Sequence, residues 1–168
     1  MTDFPEPKPD TGDAATLFAL YLDWYRETAV RKVGALDAGE QRRTRLPSGW
    51  TPLELLTHLA HMERRWIVWG FLGEPVDDPW GDDRDGRWHV PQGVVLDDLA
   101  GMLRDVGART SDVLRSASLD EVAPPGPRFT DAAPATLGWI CFHVLQEYAR
   151  HVGHLDVTVE LAGGPQGE

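Results

Sequence analysis

The 168-residue sequence has a single cysteine, Cys141. An internal disulfide is therefore excluded, and one free thiol fits a reducing cytoplasm. Positive charge is scarce: 16 Lys and Arg stand against 27 Asp and Glu, a formal net charge of −11. Nucleic acids and anionic membranes are bound through excess Lys and Arg, so neither is an expected partner. No stretch approaches the roughly 20 apolar residues that cross a bilayer. Strand-like alternation, internal repeats and low-complexity segments are also missing. The opening MTDFPEPKPDTGD lacks the basic start and apolar core of a signal peptide, and the expected location is cytoplasmic.

What is present is helical. Leu17, Leu20, Tyr21, Trp24 and Thr28 recur at helical spacing. Thr51-Pro52-Leu53-Glu54 is a helix start, with Thr as N-cap, Pro at the first helical position and Glu three residues after the cap. Leu55, Leu56, Leu59, Met62, Trp66 and Trp69 continue that helix. Leu96, Leu99, Met102, Leu103, Val106, Val113 and Leu114 mark a third, and a fourth stops at Gly163-Gly164. The spacing predicts helices over 14–36, 51–72, 94–117 and 135–162, between tails at 1–13 and 163–168. One all-α domain over 14–162, a four-helix bundle with long crossover loops, is expected. Bundles build metal sites from facing side chains.

Three of the six histidines fall in HVLQEYARHVGH, residues 143–154. At about 100° per residue, His143, Glu147, His151 and His154 share an arc of about 80°. His151 lies nearest the apolar side set by Leu137, Val144, Tyr148, Val152 and Leu155. Glu147 comes next, then His154, then His143 near Arg150. On the second helix His58 sits at the apolar margin, while His61 lies further round beside Glu54 and Arg65. The inward trio is His58, Glu147 and His151. Two imidazoles and one carboxylate suit a catalytic zinc site with a fourth position free. A single half-buried histidine is more often a paired polar group; three donors on one stripe, with a fourth from a neighbour, turn the reading toward a metal.

Other residues have plainer readings. Cys141 lies on the apolar side as a packed thiol. His61 and His154 are candidates to orient a ligand, and Glu54 and His61 are the nearby candidates for a general base. Residues 73–93, rich in Gly, Pro, Asp and Trp, read as a long loop. Its Trp80 and Trp88, among Asp82, Asp83, Arg84, Asp85 and Arg87, are either staples or parts of a lid, staples being the simpler reading. Arg87 and Trp88 are the cofactor-binding candidates. The RRTR run at 42–45 is a solvated connector, and His89 has no assigned role.

The segments GWTPLELLTHLAHMERRW at 49–66 and TLGWICFHVLQEYARHVGHLD at 136–156, with LYLDWYR at 20–26, resemble the DinB-like four-helix bundle superfamily. Many members carry three histidines; glutamate at 147 is similar to the branch of mycothiol-dependent maleylpyruvate isomerase and mycothiol S-transferases. The resemblance implies a divalent metal on His58, Glu147 and His151, usually zinc, with nickel or iron as alternatives. It also implies a low-molecular-weight thiol such as mycothiol as co-substrate and a small electrophile as partner; a homodimer is a separate expectation. A metal ion that binds a thiol sulfur stabilises the reactive thiolate. A thiol S-transferase or thiol-dependent isomerase is therefore expected. A metal-dependent hydrolase and a non-enzymatic bundle that binds a metal or small ligand are the alternatives.

Overall fold

The structure, a computed structural model, describes residues 6–8, 12–130 and 133–165; most of the expected N-terminal tail lies outside them. Helix α1 spans Ala14–Gly34, a short α2 Ala38–Gln41, α3 Pro52–Arg64, α4 Leu96–Ser116 and α5 Leu137–Leu161. Each long helix is started by a side chain or by a reciprocal cap. The Asp13 carboxylate accepts from Thr16 N at 2.9 Å. Thr51 and Glu54 close the expected capping box behind Pro52. Asp98 reaches back to Val95 N at 3.0 Å, and Thr136 caps α5. The chain leaves α5 at Gly163, where φ is +80°, a conformation that favours glycine.

Helix α1 packs along α4 and α5, and α3 packs along the same two. Consecutive helices α1 and α3 therefore sit diagonally, as do α4 and α5, so the connections at 35–51 and 117–136 cross the bundle ends. The all-α bundle with long crossovers is thus observed. Its core comprises Leu22, Leu55, Leu59, Leu103, Ile140, Val144 and Leu155 among others. No helix of the described residues is long and apolar enough to cross a membrane.

Two local features depart from the sequence expectation. The second long helix does not stay α-helical to residue 72: from Arg65 to Phe71 it widens into a π-helix. Apolar periodicity fixes which face is buried but not the hydrogen-bond pitch. π-Turns inside helices cluster at functional sites, and this one carries Trp66. Second, the 73–93 loop contains a two-residue hairpin, Asp83–Arg84 with Arg87–Trp88. Its turn places Asp85 at φ 56° and Gly86 at φ 75°, as Asp-Gly hairpin turns require. That dipeptide was the one signal in the sequence that could have shown it.

A buried polar cluster ties the four long helices together. Glu63 of α3 is fully buried. It accepts from Arg26 Nε of α1 at 2.9 Å, from the Thr110 hydroxyl of α4, and from the Tyr148 hydroxyl of α5 at 2.7 Å. Gly107 of α4 leaves room for the guanidinium, since a Cβ there would stand 2.9 Å from Arg26 Cζ. A buried charge is tolerable when it is paired and hydrogen-bonded this fully.

Candidate metal centre

The spacing of α5 places Glu147 and His151 one turn apart on the face toward α3, and α3 presents His58 opposite. The His58 and His151 ring centroids are 5.0 Å apart. One donor atom from each of His58, Glu147 and His151 lies within 4.8 Å of the others. Glu147 Oε2 is 3.2 Å from His151 Nε2 and 3.7 Å from His58 Nε2. Both histidines are thus aimed at one point with their Nε2 atoms, beside a carboxylate oxygen.

The surroundings fix the tautomer of His58, while His151 has a partner at each nitrogen, Glu147 at Nε2 and His154 at Nδ1. Asp82, from the 73–93 loop, accepts from His58 Nδ1 at 2.9 Å. With its proton on Nδ1, His58 turns a lone pair toward the cluster, and that Nε2 is buried without a hydrogen-bond partner. An orphaned basic nitrogen facing a carboxylate and a second imidazole fits a divalent cation. On the other side, His151 Nδ1 and His154 Nδ1 are 3.4 Å apart. For His151 Nε2 to hold its lone pair toward the cluster, Nδ1–H donates to His154, which is then protonated on Nε2.

Asp82 is held from behind. Arg65 Nη2 donates to Asp82 Oδ2 at 3.0 Å, and Arg65 Nη1 to the Pro79 carbonyl at 2.8 Å. Trp80 covers this guanidinium, its ring centroid 4.4 Å from Cζ. Burial raises the Asp82 carboxyl, but the hydrogen bonds from His58 and Arg65, with Arg65's charge, outweigh it and hold the group down at about 2. The carboxylate therefore stays ionised behind His58. Burial pushes His151 down to about 4, assisted by the neighbouring His58, so the free imidazole is neutral, as a metal ligand must be. Trp88 stacks on His58 with centroids 4.4 Å apart and planes 17° from parallel, and meets His151 edge-on at 5.0 Å. The loop is thus stapled onto the site by Trp80, Asp82 and Trp88.

The other candidates are spread around the trio. Glu54 lines a cavity of about 540 Å³ with Ser48, Gly49, Trp50, Gly86, Arg87 and Trp88, one of its oxygens taken by the Thr51 backbone N–H at 2.8 Å. His61 is buried beneath Gly81 of the loop, and among the described residues no hydrogen bond joins it to the trio; burial lowers its pKa. His143 stacks on Trp139 one turn before Glu147. Cys141 is fully buried, and burial pushes its thiol up to about 12, the packed thiol expected. The residues that sequence reading missed are Asp82 and Arg65. In the sequence Asp82 is one of several loop acids, and nothing in its spacing from His58 announces the contact.

With this geometry in hand, comparison with known families shows a match to Mycothiol-S-transferase over residues 17–164. No curated protein matches the chain. The family match spans nearly the whole bundle, and the chain belongs to the mycothiol S-transferase family.

Proposed function

We propose that the protein joins mycothiol, or a similar low-molecular-weight thiol, through its sulfur to a small electrophile, with a divalent metal that His58, Glu147 and His151 would hold. Zinc suits this ligand set best, with nickel and iron as alternatives. The observation that carries the reading is His58 Nε2, buried, unpartnered and aimed at Glu147 and His151, in a chain of this family. The bound cation supplies positive charge that lowers a thiol's pKa and keeps its sulfur as the thiolate.

The chain's own groups do the rest. Asp82 accepts from His58 Nδ1 and turns its Nε2 inward, and His154 stands where it would accept from His151 Nδ1 once a cation takes His151 Nε2. Trp88 walls the pocket against His58 and His151, limiting water at the nucleophile. The cavity lined by Trp50, Glu54, Arg87 and Trp88 takes the polar body of the thiol: indole faces pack against sugar-like rings, and Glu54 and Arg87 meet hydroxyls. In the reaction the sulfur–carbon bond forms as the bond from that carbon to its leaving group breaks. The leaving group departs with the electron pair, and the thiol proton passes to solvent. Among the described residues the carboxylates near the trio are already engaged, Asp82 by His58 and Arg65 and Glu54 by the Thr51 backbone N–H, so thiol transfer is favoured over hydrolysis.

The test is a titration of cobalt-loaded protein with mycothiol, bacillithiol and glutathione, followed by conjugation assays with a panel of electrophiles. A sulfur-to-metal charge-transfer band is expected with at least one thiol, and none in His151→Ala. No band with any thiol, together with thiol-independent hydrolytic turnover, would replace this reading with a metal hydrolase.

A further inference from the structure

The turn Pro127–Phe129, between α4 and α5, lays the Arg128 guanidinium over Trp66, with Cζ 4.1 Å from the ring centroid. Other covered arginines have polar partners: Arg26 pairs with Glu63, Arg45 with Glu40 and Arg65 with Asp82, and Arg64 donates to the Asp77 carbonyl. Arg128 is different. Among the described residues no carboxylate pairs with it, and its Nε is buried without a hydrogen-bond partner. Burial, and then the charge of Arg65, lower its pKa, so the surroundings disfavour the cation they hold. In a chain of net charge −11, a half-buried guanidinium with no anion beside it among the described residues leaves its fork available to one from outside.

Its place in the fold says which molecule that anion belongs to. Trp66 lies 4.4 Å from the His143 ring and 5.4 Å from Trp139, and His143 and Trp139 stack at 5.3 Å with planes 8° apart. Trp66 is two turns beyond His58 on one wall, and His143 is one turn before Glu147 on the other. These flat rings pack on one another between the level of the metal trio and Arg128, toward the end of the bundle away from Trp50, which contacts His154 instead. Aromatic walls select planar ligands, and a guanidinium fork matches a carboxylate's two oxygens.

We propose that Trp66, His143 and Arg128 form the subsite for the electrophilic substrate, a small planar or aromatic molecule carrying a carboxylate. The assignment of that ligand as electrophile rests on the thiol-transfer reading above; the anion site itself rests on Arg128.

Calorimetric titration of the full chain with benzoate, before and after removal of metal by a chelator, tests it. Benzamide serves as the neutral isostere and phenyl phosphate as the other oxyanion. Benzoate is expected to bind with and without metal, and benzamide at least tenfold more weakly. Arg128→Gln should weaken benzoate at least tenfold with an unchanged circular-dichroism melt, and Arg128→Lys should fall between, since it keeps charge but not the fork. Benzoate binding that is unaffected in both variants, or that vanishes with the metal, overturns the subsite. Tighter binding of phenyl phosphate overturns the carboxylate assignment. Benzoate held through Arg128 in a protein that shows no thiol-dependent cobalt band would sink the thiol-transfer reading and leave the subsite standing; the reverse result would sink the subsite alone.

Discussion

Asp82 and His58 lie 24 residues apart and are joined by a 2.9 Å hydrogen bond from His58 Nδ1 to Asp82 Oδ2. The bond makes a loop carboxylate the group that points His58 Nε2 at Glu147 and His151. Carboxylates behind ligand histidines set both tautomer and ring orientation. Asp82→Ala is expected to lower zinc affinity by roughly 10–100-fold while His58 itself remains. Competition against a chromophoric chelator measures this; unchanged affinity would show that Asp82 serves only to seat the loop.

Glu63 makes a second prediction, about stability. It is fully buried and accepts hydrogen bonds from Arg26, Thr110 and Tyr148, one on each of the other three long helices. Removing one partner of a buried ion pair strands the other charge and costs about 3–5 kcal/mol. Glu63→Ala should lose stability on that scale in urea unfolding. A double variant, Arg26→Met with Glu63→Met, should recover much of it, because no unpaired charge is left. A Glu63→Ala loss below 1 kcal/mol would mean that water reaches Arg26 in the folded protein.

The metal-free protein should lose stability in acid in two steps. His61, His143 and His151 all have pKa values lowered by burial, His151 to about 4. Below their ordinary value of 6.5 the unfolded chain binds protons that the folded chain refuses. Stability is therefore full above pH 6.5 and declines as pH falls toward 4. Asp82 then adds its own loss. Its carboxyl moves from an ordinary 3.8 to about 2 in the fold, a contribution of about 2 kcal/mol. That stabilisation is present above 3.8 and disappears as pH falls through 2. Urea midpoints of chelator-treated protein between pH 7.5 and 2.5 check both steps. A flat profile from pH 7 to 4.5 would contradict the burial of the histidines.

Much of the fold was legible because helix signals are local. The capping box at Thr51 and Glu54, Pro52 at the first helical position, and the Gly163-Gly164 stop each act within a few residues, and the helices begin and end close to where those signals lie. The 3.6-residue period likewise put Glu147, His151 and His154 on one face of α5 without reference to any other element. The same period could not reveal the π-turn at Arg65–Phe71, since the faces it buries are nearly those of an α-helix.

The sequence by itself determined the four long helices and the faces that carry His58, Glu147 and His151, because those follow from short-range periodicity and residue type; the likeness to a thiol-transfer family lay in the segments at 49–66 and 136–156. Tertiary structure alone decided what stands behind and beside the trio. Asp82 reaches His58, and Arg65 reaches Asp82, only because the 73–93 loop folds back over α3. Arg128 meets Trp66 only because the crossover before α5 passes the π-turn. Such contacts depend on how whole elements pack, and residue spacing along the chain carries no record of that.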